Sequence, residues 1–224
     1  AKKTYYANYG DVPFGDITKE STKNKIPKDF DILCAGFPCQ AFSLAGKRLG
    51  FEETRGTLFF DVAEILRRYQ PKAFFLENVK GLVIHDKGRT FKTILNTLEE
   101  VGYVVPDPQI VNAMFFGVPQ HRERIYIVGF RKDLGIKKDD FSYPEQKEVT
   151  KKWIDVREEN PVPAKYYLST TYIETLKRHK ARHEAKGNGF GYDIIPDDGI
   201  AHAIVVGGMG RESNLVIDFR QTDL

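Results

Sequence analysis

A cysteine directly follows a proline at Pro38-Cys39 in "DILCAGFPCQAFSLAGKR" (residues 31–48), placing a thiol just where an apolar run ends. Proline fixes its own φ, and Gly36 two residues before it lets the chain turn sharply. A thiol held this way can be a small core residue, half of a disulfide, or a nucleophile. Cys34, inside the run between Leu33 and Ala35, is expected to be an inert packed residue. "LENV" adds Glu77 at the end of a second apolar run, where a carboxylate is costly unless paired or used. Partial burial raises a carboxyl pKa, so this side chain could hold or donate a proton; capping the next turn is the alternative. "QHRER" (residues 120–124) places Arg122 and Arg124 at i and i+2, on one face if the segment is extended. They can recognise an anion or a carbonyl, or simply open a solvated strand.

Elements that could position these groups are readable. "FDILCAGF", "AFFLENV" and "RIYIVGF" are short β-rich runs expected to form buried strands of a mostly parallel sheet, with "YVVPDPQIVNA" a weaker fourth broken by prolines. Leu58, Phe59, Val62, Ile65, Leu66 and Tyr69 repeat at helical spacing up to Pro71. Phe91, Ile94, Leu95, Leu98 and Val101 do so again up to Gly102. Alternating strands and helices predict a wound α/β domain, whose ligands sit at the carboxyl ends of strands; Cys39 and Glu77 both follow strands there. From "FSYPEQKEVTKKWIDVREENPVPAKYY" onward the texture is polar and proline-bearing, as in a linker. Thr171 and Glu174 form a capping-box pattern before "YIETLKRHKARHEAK". A second, smaller lobe is expected after about residue 145.

Composition bounds the possibilities. The 224 residues, 41% hydrophobic and 29% charged, suit a globular chain with a real core. No run is long enough to span a bilayer, and "AKKTYYANYG" lacks the apolar stretch of a signal peptide. The two cysteines match neither a redox pair nor a zinc set, which favours a reducing, cytoplasmic setting. A net charge of +3 is too mild to announce nucleic acid, so such a partner must be argued from local charge. "KRHKARHEAK" (residues 177–186) supplies five Lys/Arg against one Glu, either a solvated helix face or a phosphate contact. His179 and His183 stand at i and i+4 without a third ligand, so no metal site is expected. The glycine clusters "GNGFGY" and "VVGGMGRES" lack the βαβ setting of a dinucleotide site.

In their order and spacing, "GFPCQAFS", "LENV" and "QHRERIYIVGF", with "GDIT" (15–18) and "RGTLFFD" (55–61), resemble motifs of the bacterial-type cytosine C5 DNA methyltransferases. The region "KARHEAKGNGFGY" also looks like a target-recognition lobe of that family. The resemblance implies a Rossmann-like, S-adenosylmethionine-dependent methyltransferase sheet over residues 1–145 and part of a target-recognition region over 146–224. It implies Cys39 as the nucleophile toward cytosine C6, Glu77 at N3 and the amino group, Arg124 at O2, and Arg122 in support. S-adenosylmethionine would meet Asp16, Ile17, Pro38 and Leu58. Double-stranded DNA would meet Gln40, Ser43, Lys47, Arg48 and Arg55, and in the second lobe Lys177, Arg178, Lys180 and Arg182. The cytosine would have to leave the duplex stack. A restriction-modification system, with a cognate endonuclease as partner, is the implied setting. The family's F-x-G-x-G loop would precede Ala1 and its late G-N-S helix would follow Leu224, so both ends of the cofactor site are expected outside these residues.

Three other readings stay open at this point. The chain could be a non-catalytic or split fragment that binds DNA or a partner chain. It could be an RNA cytosine methyltransferase of the same family. A thiol hydrolase would need His85 or His121 to pair with Cys39, and no spacing signals that.

Overall fold

The computed structural model describes residues 2–38, 58–189, 191–204 and 211–220. They fall into two compact units, Ala1–Val111 with Arg124–Pro144, and Asn112–Glu123 with Glu145–Leu224.

The first unit opens with α1 (Lys2–Tyr9) and a single helical turn, α2 (Glu20–Lys23), before β1 (Ile32–Gly36). Then come α3 (Leu58–Tyr69), β2 (Ala73–Val79), α4 (Arg89–Glu100), β3 (Tyr103–Val104) and β4 (Gln109–Asn112). After β5 (Gln120–His121), β6 (Glu123–Arg131) completes a five-stranded sheet of order β1-β2-β6-β3, with β4 also paired to β6.

The expected mostly parallel sheet is corrected to a mixed one. β1 and β2 are parallel, joined through α3, but β6 runs antiparallel to both β2 and β3. A parallel neighbour needs a crossover helix, and the chain between β4 and β6 carries only a 3-10 turn at Ala113–Phe116 and the short β5.

Pleating sorts the strands into two faces. Leu33, Ala35, Phe74, Leu76, Asn78, Ile125 and Ile127 share the face beneath which α3 and α4 bury Phe59, Leu66, Ile94 and Leu98. Each such large side chain is worth about 1.5–3 kcal/mol when fully covered. Cys34, Phe75, Glu77, Tyr126 and Arg124 belong to the opposite face. Cys34 is therefore exposed rather than packed, contrary to expectation, because its register turns it away from the helices. Gly129 lies directly opposite Phe74, and a Cβ there would come within 2.2 Å of the Phe74 ring.

In the second unit, β5 pairs in parallel with β7 (Ala201–His202). The polar stretch expected to be a linker supplies a core residue instead. Trp153 is buried, and its indole Nε1–H donates to the Pro196 carbonyl at 2.6 Å. The basic helix α5 spans Thr170–Glu184. Its cap is Ser169, not the Thr171–Glu174 box. Ser169 has extended backbone angles and accepts from the Tyr172 N–H at 3.3 Å, whereas Thr171 lies within the first turn. Asp218 receives both Arg220 Nε (2.8 Å) and Nη2 (2.7 Å) together with the Tyr167 hydroxyl (2.9 Å), and Arg220 Nη1 also reaches the Glu158 and Glu159 carbonyls. The Arg220 side chain and backbone N–H hold the Asp218 carboxyl far below the usual carboxylate range, against the opposing effect of burial.

Among the described residues, no helix is long and apolar enough to cross a membrane.

Two tests follow from these packings. Gly129→Ala should lower unfolding free energy by about 1–3 kcal/mol in urea titrations, since the Phe74 ring must shift; an unchanged midpoint would contradict this close approach. A depressed folded pKa stabilises above the unfolded value and loses that contribution as the pH falls through the folded one. The gap in urea midpoint between the wild type and Asp218→Asn should therefore be full at neutral pH and close below about pH 4. A gap constant with pH would show that the Asp218 charge contributes nothing.

Candidate active site

The geometry of the carboxylate begins with sheet register. Glu77 stands opposite Gly36 on one side and Tyr126 on the other, while Arg124 stands opposite Val79. Glu77 and Arg124 are thus diagonal neighbours on one face of an antiparallel pair, within reach of long side chains. Arg124 Nε donates to Glu77 Oε1 at 2.9 Å, with side-chain exposures of 17% and 34%. This sharing of charge is what makes a half-buried carboxylate tolerable. Glu77 Oε2 extends over Gly36, where an added Cβ would approach it to 3.4 Å. A side chain at position 36 would crowd the carboxylate at the end of the strand that runs into Pro38 and Cys39.

Asn78, next along β2, points the opposite way and is buried. Its Nδ2 donates to the Phe37 carbonyl at 2.6 Å, and its Oδ1 accepts from the Val79 N–H at 2.9 Å. Phe37 is also buried and packs on Phe59, with ring centroids 5.3 Å apart. Asn78 thus fixes the chain two residues before Cys39, a role the sequence reading passed over. A buried-side asparagine in an otherwise apolar strand was the available signal, because such an amide must find partners. Pro38 is exposed at the edge of the described segment. Cys39, Gln40, Ser43, Lys47, Arg48 and Arg55 lie outside the described residues.

Of the residues expected at the cofactor, Ile17 and Leu58 line one cavity of about 380 Å³ together with Ile26, Phe30, Phe37 and Val62. Its size falls in the range of small-molecule sites. The walls are mostly apolar, as a nucleoside base would require, so these residues fit the donor's adenosine part. Asp16 precedes this wall. Its Oδ1 accepts from the Thr18 N–H at 3.0 Å and hydroxyl at 2.8 Å, and those bonds, the backbone one foremost, hold its carboxyl below the usual range.

In the second unit, the Arg122 N–H donates to Asn112 Oδ1 at 3.0 Å and its carbonyl accepts from the Ala113 N–H at 3.1 Å. Asn112 itself is buried. On α5, Lys177, Arg178 and Arg182 are exposed, and Arg178 and Arg182 share a face at i and i+4. Lys180 differs from them. It donates to the Tyr192 carbonyl at 3.1 Å and lies over that ring at 5.0 Å, and its stem covers Gly191. No cluster of three or more potential metal ligands occurs among the described residues.

The model of the C-5 cytosine-specific DNA methylase family matches residues 1–216. The chain is 73% identical over 224 residues to the Type II methyltransferase M.HpaII of Haemophilus parainfluenzae, covering 100% of this chain and 62% of that protein. It is 52% identical over 198 residues to the Type II methyltransferase M1.ScrFI of Lactococcus lactis subsp. cremoris, covering 88% of this chain and 50% of that protein. It therefore spans between half and two thirds of these relatives. Among solved structures, the S. pombe Dnmt2 methyltransferase matches with a TM-score of 0.57 at 17% identity, covering 89% of this chain and 57% of that one. A Spodoptera frugiperda DNMT2 mutant matches at 0.59 and 20%, covering 88% and 57%. The fold is the Rossmann-like α/β fold of these methyltransferases.

Asn78→Ala should cost about 1–3 kcal/mol of stability by urea unfolding, because it strands the buried Phe37 carbonyl. A change within experimental error would remove Asn78 from this role.

Proposed function

Since this chain belongs to the C-5 cytosine-specific DNA methylase family, we propose that the whole protein transfers a methyl group to C5 of a cytosine in double-stranded DNA within a bacterial restriction-modification system. The observation that carries this reading is the Glu77–Arg124 pair at 2.9 Å, on the strand end beside the one that runs into Pro38-Cys39. Likeness to Type II methyltransferases supports the setting, with a cognate endonuclease as partner in the same cytoplasm.

Bound S-adenosylmethionine supplies the electrophilic methyl group; Ile17 and Leu58 hold it between apolar walls, with Asp16 and Pro38 beside it. The chain's own residues do the rest. The Cys39 thiolate adds to C6 of an extruded cytosine, and the electron pair of the 5,6 double bond moves toward N3. Glu77, as the acid, passes a proton to N3, which leaves C5 electron-rich. Arg124 anchors Oε1 so that Oε2 meets the ring edge, and binds the ring O2. Arg122 supports the turn that leads into Arg124. Once C5 carries the methyl group, its proton is lost to a base, the C6–S bond breaks and the double bond reforms. The N3 proton then returns to Glu77.

Gln40, Ser43, Lys47, Arg48 and Arg55 grip DNA around the reacting base in this reading. Lys177, Arg178 and Arg182 contact phosphate from α5, and Lys180 acts chiefly by shaping that lobe, being engaged with Tyr192.

Fluorine at C5 leaves no proton to remove, so the reaction stops at the covalent stage. Full-length protein incubated with 5-fluorocytosine duplex DNA and donor should give an adduct stable to denaturing electrophoresis. Cys39→Ala should give none, and Glu77→Gln should form it about 10²–10⁴ times more slowly. Adduct formation by Cys39→Ala, or label entering RNA and not DNA, would overturn the assignment.

A further inference from the structure

Lys23 is 5% exposed, in a chain where lysines otherwise sit mainly at the surface. Its ammonium lies 2.8 Å from Asp61 Oδ1 and 2.5 Å from Glu64 Oε2, two carboxylates at i and i+3 on α3. Burial pulls the Lys23 pKa down, but the two carboxylates outweigh it and hold the ammonium above its ordinary value. Its carbonyl accepts from the Tyr69 hydroxyl at 2.7 Å. Arg68 reinforces the same seam through Glu20 at 2.5 Å and through Asn24.

A helix of four residues has no stability of its own, because nucleation costs more than one turn returns. What fixes α2 is therefore its attachment to α3. Backbone hydrogen bonds within the segment join α2 to the residues on either side of it. Lys19 N donates to the Asp16 carbonyl at 3.1 Å, Lys23 N to the Lys19 carbonyl at 3.1 Å, and Ile26 N to the Lys23 carbonyl at 3.0 Å. Ile17 and Ile26, on either side of α2, line the cavity together with Leu58, Val62 and Ile65 of α3. Lys23 is the buried tie between those two elements.

We propose that Lys23 is a positioning residue for the methyl donor, setting the spacing between Ile17 and Leu58 through its pairing with Asp61 and Glu64. This rests on reading the cavity as the donor site. Lys23 touches no reacting atom, so it governs donor affinity and leaves the chemical step alone. Removing the ammonium takes away the charge that draws α2 against Asp61 and Glu64, and covering those carboxylates with a neutral side chain is costly, so the α2 segment loosens from α3.

The test compares full-length wild type with Lys23→Met, Lys23→Arg, Glu64→Gln and, as a destabilised control away from α2, Tyr103→Phe, which loses the bond to the Pro71 carbonyl. S-adenosylmethionine affinity is measured by equilibrium dialysis, and methyl transfer is measured at saturating donor. Lys23→Met should weaken donor binding and raise its KM about tenfold, with kcat within about twofold. Lys23→Arg should recover most of the affinity, Glu64→Gln should show a smaller loss, and Tyr103→Phe should show none. Equal affinity in wild type and Lys23→Met, or a loss as large in Tyr103→Phe, would overturn the role of Lys23 while leaving the cavity's reading intact. No donor binding by the wild type would overturn the cavity reading itself, and the Lys23 proposal with it. Should Lys23→Met not fold, Glu64→Gln decides by the same criteria.

Discussion

Consecutive residues of a β-strand point to opposite faces, and β2 uses that constraint at its end to do two different jobs. Glu77 turns to the open face and pairs with Arg124, while Asn78 turns inward and ties down the Phe37 carbonyl. One strand thus orients a carboxylate and, through the core, the departure of the neighbouring chain toward Pro38 and Cys39. A shift of register by one residue would exchange these roles, exposing the amide and burying the acid. The antiparallel run of β6 matters for the same reason, since it brings Arg124 diagonally across from Glu77 instead of leaving it distant along the sheet.

Close approach of backbones makes room for this arrangement. Gly36 lets the Glu77 carboxylate lie over β1, and Gly129 lets the Phe74 ring approach β6 closely. The first leaves room on the Glu77 face of the sheet; the second closes the core face on its other side. Phe37 and Phe59 meet on that core face, one leaving β1 and the other at the start of α3, so hydrophobic packing joins these two elements. Polar geometry at the site is therefore supported by apolar contact below it. On the flank of the sheet the balance reverses, because α2 is too short to bury much and is held by a lysine between two carboxylates.

Residue types and spacing made much of this legible. Helical periodicity located α3 and α4, where Phe59, Val62, Ile65, Leu66, Ile94 and Leu98 of the expected stripes are buried while Leu58, Tyr69, Phe91 and Leu95 are only partly so, and the apolar runs located β1, β2 and β6. Ile17 and Leu58, named only through the family resemblance, line one cavity, and Glu77 meets Arg124 in a pairing that spacing along the chain did not announce. Strand direction was not legible, because hydrophobic runs carry no sign of polarity. Nor was the burial of Trp153, whose polar neighbours disguised a core position that depends on the distant Pro196 carbonyl. Ser169 won the helix cap from Thr171 through backbone angles that side-chain spacing cannot report.

The sequence by itself determined the chemical groups, their order, and membership of the family that uses them, since these depend only on which residues stand where along the chain. Tertiary structure alone decided which groups face one another. Pairing register set Glu77 against Arg124, and long-range contacts selected Asn78 and Lys23, both polar residues that can be buried only because partners many positions away meet them.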